Sequence, residues 1–191
     1  MIELKLKRML IQLDFSFFAV LALYLLLDES GFGLAALAAC AMHEMAHFVA
    51  MTVFGVRVER LTFYGAGIRI TSAAIEQAKP LHRAVVLGAG CAVNFIAAAV
   101  FCQMREYAAS AVNLFIGVFN LLPMGQLDGT GLLKIAAIRF CRVDKVDKVM
   151  KAACIVSEAI CACVVLLFGG DVPFTFVTTA LYIIFMSCSK I

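Results

Sequence analysis

The residues best suited to chemistry stand together at positions 43–47, His43-Glu44-Met45-Ala46-His47. On a helix, two histidines four residues apart lie on the same face, one turn apart. Neutral imidazoles at that spacing can share one zinc ion. Glu44 lies beside them and can take a proton from a water bound to that ion. The spacing therefore predicts one Zn²⁺ per chain, with His43 and His47 as ligands and Glu44 as the catalytic base.

The surroundings of this motif narrow its interpretation. It lies in the middle of the apolar run LAALAACAMHEMAHFVAMTVF, residues 34–54. Burying two imidazoles and a carboxylate in such a run is costly unless they are paired or bind a metal. The residues alone leave three alternatives to a zinc site: a buried hydrogen-bonded cluster, a proton relay, or haem ligation.

A hydrolytic zinc site needs a third protein ligand and one open position for water. Asp128 is the candidate, in the segment FNLLPMGQLDG at 119–129. The segment has a helix breaker at Pro123 and a bend at Gly125 before the acid. A helix broken at membrane depth can direct a carboxylate inward. The alternative is that Asp128 caps the helix that follows.

The composition indicates that lipid is the solvent. Of 191 residues, 64% are hydrophobic and 15% charged, whereas soluble chains have about half and about a quarter. The net charge of +3 is too small to suggest a nucleic-acid partner. The pattern predicts an α-helical polytopic membrane protein of about six spans, a single domain 1–191 with its core at about 32–130 and no separate soluble domain. The predicted spans are 9–27, 32–54, 84–102, 108–122, 152–168 and 173–188.

The basic residues predict the orientation. If the N-terminus is cytoplasmic, all but one of the 16 Lys and Arg residues fall on the same side, and the exception is Arg105. The positive-inside rule then places both termini in the cytoplasm. Asp14 and Glu158 lie within apolar runs, and acids there are functional candidates by default.

The loop after the second predicted span has a pattern of its own. The stretch 56–75 alternates partly between apolar and polar residues, which predicts a short membrane-associated β-hairpin with Gly65 and Gly67 in its turn. An ordinary cytoplasmic loop is the alternative.

The eight cysteines include no CxxC pair, so they are predicted to be small apolar side chains rather than a disulfide framework or a cysteine-based zinc site.

Together, HEMAH and NLLPMGQLDG resemble the site-2 proteases, the intramembrane zinc metalloproteases, whose pattern is HExxH plus NxxPxxxLDG. The residues that match the second motif are Asn120, Pro123, Leu127, Asp128 and Gly129. The resemblance implies His43, His47 and Asp128 as zinc ligands and Glu44 as the base. It implies regulated intramembrane proteolysis, with membrane-anchored proteins as substrates.

The resemblance extends to candidate substrate-binding residues. GAGCAVNFIAAA, at 88–99, is similar to the family's GPxxN motif at Gly90 and Asn94, with Cys91 where the family has proline. It suggests that Asn94 binds the substrate backbone or the developing oxyanion; a helix–helix hydrogen bond is the alternative. The hairpin resembles a family element that pairs with an unwound substrate. The further candidates are Gly65, Gly67 and Asn120.

The layout of six spans, with the motif in the second and no PDZ domain, resembles the subgroup of the bacterial sporulation protease that processes a pro-sigma factor. It implies the bacterial cell membrane, a pro-sigma or anti-sigma factor as candidate substrate, and regulatory membrane proteins as candidate partners. Two rival functions remain: a zinc or proton transporter, which would also place histidines and acids inside a bundle, and an inactive membrane scaffold.

Overall fold

The computed structural model describes residues 1–6, 9–28, 32–65 and 67–168. These residues form seven helices and four strands, and the chain divides into two compact units, Met1–Val118 and Phe119–Ile191. In chain order the elements are β1 (Ile2–Leu6), β2 (Met9–Leu13), α1 (Phe15–Leu27), α2 (Phe32–Val53), β3 (Arg60–Tyr64), β4 (Gly67–Thr71), α3 (Ala73–Gln77), α4 (Pro80–Gln103), α5 (Tyr107–Asn120), α6 (Asp128–Phe140) and α7 (Val143–Phe168).

Two helices of the first unit are long and apolar enough to cross a membrane. They cover Gly33–Val53, with a mean hydropathy of 1.4, and Pro80–Gln103, with a mean hydropathy of 2.2. A span needs about 20 apolar residues. The second of them begins with a proline in its first turn, where the missing N–H costs no hydrogen bond. α2 and α4 pack along one another, and this pair carries the histidine motif.

The first predicted span is wrong in its N-terminal part. Residues Met9–Leu13 form strand β2, and α1 has only 13 residues, a length of about 20 Å. A short apolar run cannot be assigned to strand or helix by periodicity alone. Here neighbouring strands on both sides of β2 supply hydrogen-bond partners. The pairing extends to the start of α1, where the Asp14 N–H donates to the Phe63 carbonyl at 2.9 Å.

The predicted hairpin is present as β3 and β4, but it belongs to a larger sheet. The strand order is β1-β2-β3-β4. The outer pairs are antiparallel, whereas β2 and β3 are parallel. A parallel pair requires a long crossover, and α1 and α2 provide it. Gly67 has φ +126, a conformation that a side chain would oppose, so the glycine suits the end of this turn.

The remaining predicted spans are only partly matched. The fourth corresponds to α5, a helix of 14 residues, and the fifth lies within α7. The sixth, 173–188, falls outside the described residues. Within the described residues, two helices meet the length and hydropathy of a span, fewer than the predicted six. In α7, Glu158 accepts a hydrogen bond from the Cys154 thiol, one turn earlier, at 3.2 Å.

In the second unit, the chain breaks between α5 and α6 where Pro123 and Gly125 predict it. Gly125 has φ +50. Gly129 packs against the Leu121 carbonyl so closely that any Cβ there would overlap it. Met124 is fully buried, with its sulfur 3.8 Å from the Cys161 thiol of α7. This break places Asp128 at the first position of α6.

Candidate metal centre

The two histidines of α2 each direct one ring nitrogen, Nε2, toward the other. His43 and His47 are 3% and 7% exposed. Their Nε2 atoms are 3.1 Å apart, and their rings are inclined at 79°. Two imidazole nitrogens that bind one tetrahedral zinc ion at its usual bond length are about 3.3 Å apart. The spacing of the pair therefore fits a shared zinc ion.

The hydrogen-bond partner of the other ring nitrogen, Nδ1, determines the tautomer of each histidine. His43 Nδ1 lies 2.7 Å from the Asn94 side-chain oxygen, and His47 Nδ1 lies 2.7 Å from the Val86 carbonyl oxygen. Both partners are acceptors, so each Nδ1 carries the proton and each Nε2 carries a lone pair. Two lone pairs facing each other at 3.1 Å repel unless a cation lies between them. The donor set therefore fits a metal, and Asn94 and Val86 are partners of the kind that orient metal-bound histidines.

Asn94 is fully buried, and all its polar groups are engaged. Its Nδ2 donates to the Ala39 carbonyl at 3.3 Å and to the Asn113 side-chain oxygen at 3.0 Å. Asn113 in turn donates to the Ala109 carbonyl at 2.9 Å. These contacts join α2, α4 and α5, as the helix–helix alternative for Asn94 expects. In this arrangement its amide has no N–H left for a substrate oxyanion.

Asn113 is a buried residue of this network that the sequence motifs do not single out. It is 3% exposed and lies within the apolar run 108–122, and a buried polar side chain in such a run was the available signal. Its contact with Asn94 makes it a second support behind His43.

Gly90 allows α4 to approach the histidines. A Cβ at this position would lie 2.6 Å from both Nε2 atoms, closer than carbon and nitrogen can approach without a bond. The next residue, Cys91, is 2% exposed, and its thiol sulfur lies within 4.8 Å of a ring nitrogen of His43. Glu44 is half-buried on α2, beside the pair.

The other predicted site residues belong to other elements of the chain. Asp128 and Asn120 belong to the second unit, as the first residue of α6 and the last of α5. Leu127 is the N-cap of α6 and makes no side-chain cap, so Asp128 lies inside the first turn, where the helix dipole favours a carboxylate. Gly65 lies in the hairpin turn, and its N–H donates to the Ser16 hydroxyl at 3.0 Å. The substrate-binding roles of Asn120, Gly65 and Gly67 stay predictions.

A Gly90→Ala substitution tests the close approach of α4. We expect the added methyl group to separate the two histidines, so the purified protein loses bound zinc while its helical content is kept. The matched control is Gly88→Ala on the same helix, where a Cβ meets no atom within 4 Å. Metal content by mass spectrometry and circular dichroism provide the two measurements. Full zinc occupancy in Gly90→Ala would contradict the role of Gly90.

An Asn94→Ala substitution tests the orientation of His43. It removes the acceptor of the Nδ1 proton, and we expect zinc affinity to fall roughly 10- to 100-fold, the usual effect of removing such a partner. Asn94→Asp keeps an acceptor oxygen and is expected to bind zinc more tightly than Asn94→Ala. Chelator competition measures both. Equal affinities in Asn94→Ala and the parent chain would show that Asn94 does not support the ligand.

Comparisons with known proteins add one finding about the fold. No protein-family model matches this chain, and no curated protein is significantly similar to it in sequence. Among solved structures, it is similar to the site-2 protease from Methanocaldococcus jannaschii, with 20% sequence identity and a TM-score of 0.65. The match covers 98% of this chain and 94% of that one. The chain therefore has the fold of a solved site-2 protease over nearly its whole length.

Proposed function

We propose that this chain is an intramembrane zinc metalloprotease of the site-2 protease family, which hydrolyses peptide bonds within or near the transmembrane segments of membrane-anchored proteins. The observation that carries the proposal is the buried pair of Nε2 atoms, 3.1 Å apart, with both Nδ1 atoms directed at acceptors. The site-2 protease fold supports the same reading.

Exposed apolar side chains on the two long helices support a membrane location. Leu34 and Val53 of α2 are 71% and 74% exposed, and Leu81 and Ile96 of α4 are also exposed. Large apolar side chains are rarely exposed in this number on a soluble protein, whereas lipid covers them at no cost. We further propose a multi-pass protein of the bacterial cell membrane with about six spans and both termini in the cytoplasm, on the basis of the basic residues.

Three residues would hold one zinc ion: His43, His47 and Asp128. The support for Asp128 is its place in the LDG motif and the need for a third ligand that leaves one position open. A carboxylate ligand would also offset part of the double positive charge of the zinc ion, which two neutral imidazoles cannot do. When bound, the ion makes water a better nucleophile and polarises the scissile carbonyl.

The residues of the chain move and hold the protons. Glu44 takes a proton from the water that attacks the scissile carbonyl and gives it to the leaving nitrogen. Asn94 and Val86 keep both histidines in the Nδ1–H tautomer throughout. The peptide C–N bond breaks and one water is consumed, so no further reactant is required.

The substrate must expose its backbone before it can be cut, because the amides of a transmembrane helix are hydrogen-bonded internally. Strand β4 ends the order of the described sheet, so an unwound segment could add to it as a further strand. This supports the hairpin, with Gly65 and Gly67, as a substrate element. Asn120 is a second candidate contact. Pro-sigma and anti-sigma factors are the candidate substrates, regulatory membrane proteins are candidate partners, and no nucleic acid is expected.

A Glu44→Gln substitution tests the proposed reaction. We expect cleavage to fall roughly 10²- to 10⁴-fold, the usual contribution of a general base, while bound zinc is unchanged. The measurement is the appearance of new termini in single-span membrane proteins, by mass spectrometry of cells that carry each variant. Glu106→Gln, at an exposed acid, is the control. Unchanged cleavage in Glu44→Gln would refute the protease, and zinc flux in proteoliposomes would favour the transporter.

An Asp128→Ala substitution tests the third ligand. We expect zinc affinity to fall by more than the roughly 10- to 100-fold that follows loss of an outer partner. Asp144→Asn is the matched control, because this exposed acid also lies in the first turn of its helix. Metal content and chelator competition provide the measurements. A full equivalent of tightly bound zinc in Asp128→Ala would remove Asp128 from the ligand set.

A further inference from the structure

Cys91 lies beside the histidine pair and has no role in the proposed reaction. It follows Gly90 on α4, is 2% exposed and forms no disulfide. Its thiol sulfur lies within 4.8 Å of a ring nitrogen of His43. On the same helix, Val86 and Asn94 lie on either side of Cys91 in the sequence, and they contact His47 and His43. The sulfur therefore lies beside the histidine pair that would bind the proposed metal ion.

The chemistry of a thiol suits this place. A thiolate is one of the ligands that zinc prefers. In a tetrahedral zinc site, the usual Zn–S and Zn–N bond lengths leave sulfur and nitrogen about 3.6 Å apart. A small change in the Cys91 side chain would reach that separation from the present upper limit of 4.8 Å.

We propose that Cys91 is a further protein ligand of the metal ion, and that in the resting protein its thiolate takes the coordination position that the attacking water needs. This inference rests on the proposed zinc protease. With Asp128 it would give the dication two anionic ligands, which lowers the cost of holding the ion in an apolar interior. Four protein ligands are typical of closed, structural zinc sites, whereas catalytic sites keep one position open.

The ligand exchange that opens the site balances without any oxidant. The metal–sulfur bond breaks and a metal–oxygen bond forms. The departing thiolate takes one proton from bulk solvent and becomes a neutral thiol, so the entering water keeps both of its protons until Glu44 takes one. An incoming substrate that displaces the Cys91 side chain would therefore also admit the nucleophile, and an idle protease would be blocked by its own side chain.

Cobalt substitution tests the sulfur ligand directly. The full chain, purified in detergent, is loaded with Co²⁺ in place of zinc, and its absorption spectrum is recorded. We expect a sulfur-to-cobalt charge-transfer band in the near ultraviolet. Cys91→Ser should lose this band while it keeps one equivalent of cobalt. Cys102→Ala, at an exposed cysteine of the same helix, should keep both.

The outcomes separate this inference from the proposed function. A parent chain that binds cobalt without the band, or a band that persists in Cys91→Ser, would overturn the sulfur ligand and leave the metal site intact. Failure of the parent chain to bind cobalt would overturn both. Zinc X-ray absorption of the parent chain should show one sulfur neighbour, a readout that needs no variant. Cys91→Ser is expected to cleave substrates faster, and an unchanged or lower rate with full metal would overturn the resting block.

Discussion

The hydrogen bonds from the two Nδ1 atoms to α4 are the contacts on which the site depends. In lipid, helices gain little from apolar contact, so they associate through small residues and polar hydrogen bonds. Gly90 is the small residue that lets the two backbones approach, and Asn94 makes the hydrogen bond to His43. The same contacts fix the tautomers that expose both Nε2 lone pairs. Association with α4 therefore also orients the two histidines that α2 carries.

The sheet and a small core fix the ends of this helix pair. Met51, Val56 and Val86 form a buried cluster, with Phe54 and Ile70 packed against it. Met51 lies one helical turn beyond His47, and Val86 contributes its side chain to the cluster and its carbonyl to His47. The parallel pairing of β2 with β3 closes the crossover through α1 and α2. Local packing at this end of α2 thus limits how far α2 can slide past α4.

The sequence predicts the proximity of the two histidines better than it predicts the elements around them. The spacing of His43 and His47 specifies one helix face, so their proximity follows from helix geometry alone. The acceptors behind them come from α4, some 40 to 50 residues later, as the separations of 39 and 51 positions show, and no local pattern encodes that pairing. Asn113 carried a signal, as a polar side chain in an apolar run, but no local pattern pairs it with Asn94. The N-terminal strands were missed because a short apolar run fits a strand and a helix equally well, and only the partner strands decide.

The spacing of cysteines along the chain does not predict a ligand that the fold brings from a distant position. The absence of a CxxC pair argues against a site built from neighbouring cysteines, but a metal shell is assembled by the fold from distant positions. Cys91 stands where the similar motif of site-2 proteases has proline, a residue with neither a thiol nor an N–H. Its place follows from Gly90: the glycine that brings α4 against the histidines also brings the next side chain to the edge of the pair. Because α4 comes this close to the histidines, the residue that follows the glycine also lies beside them.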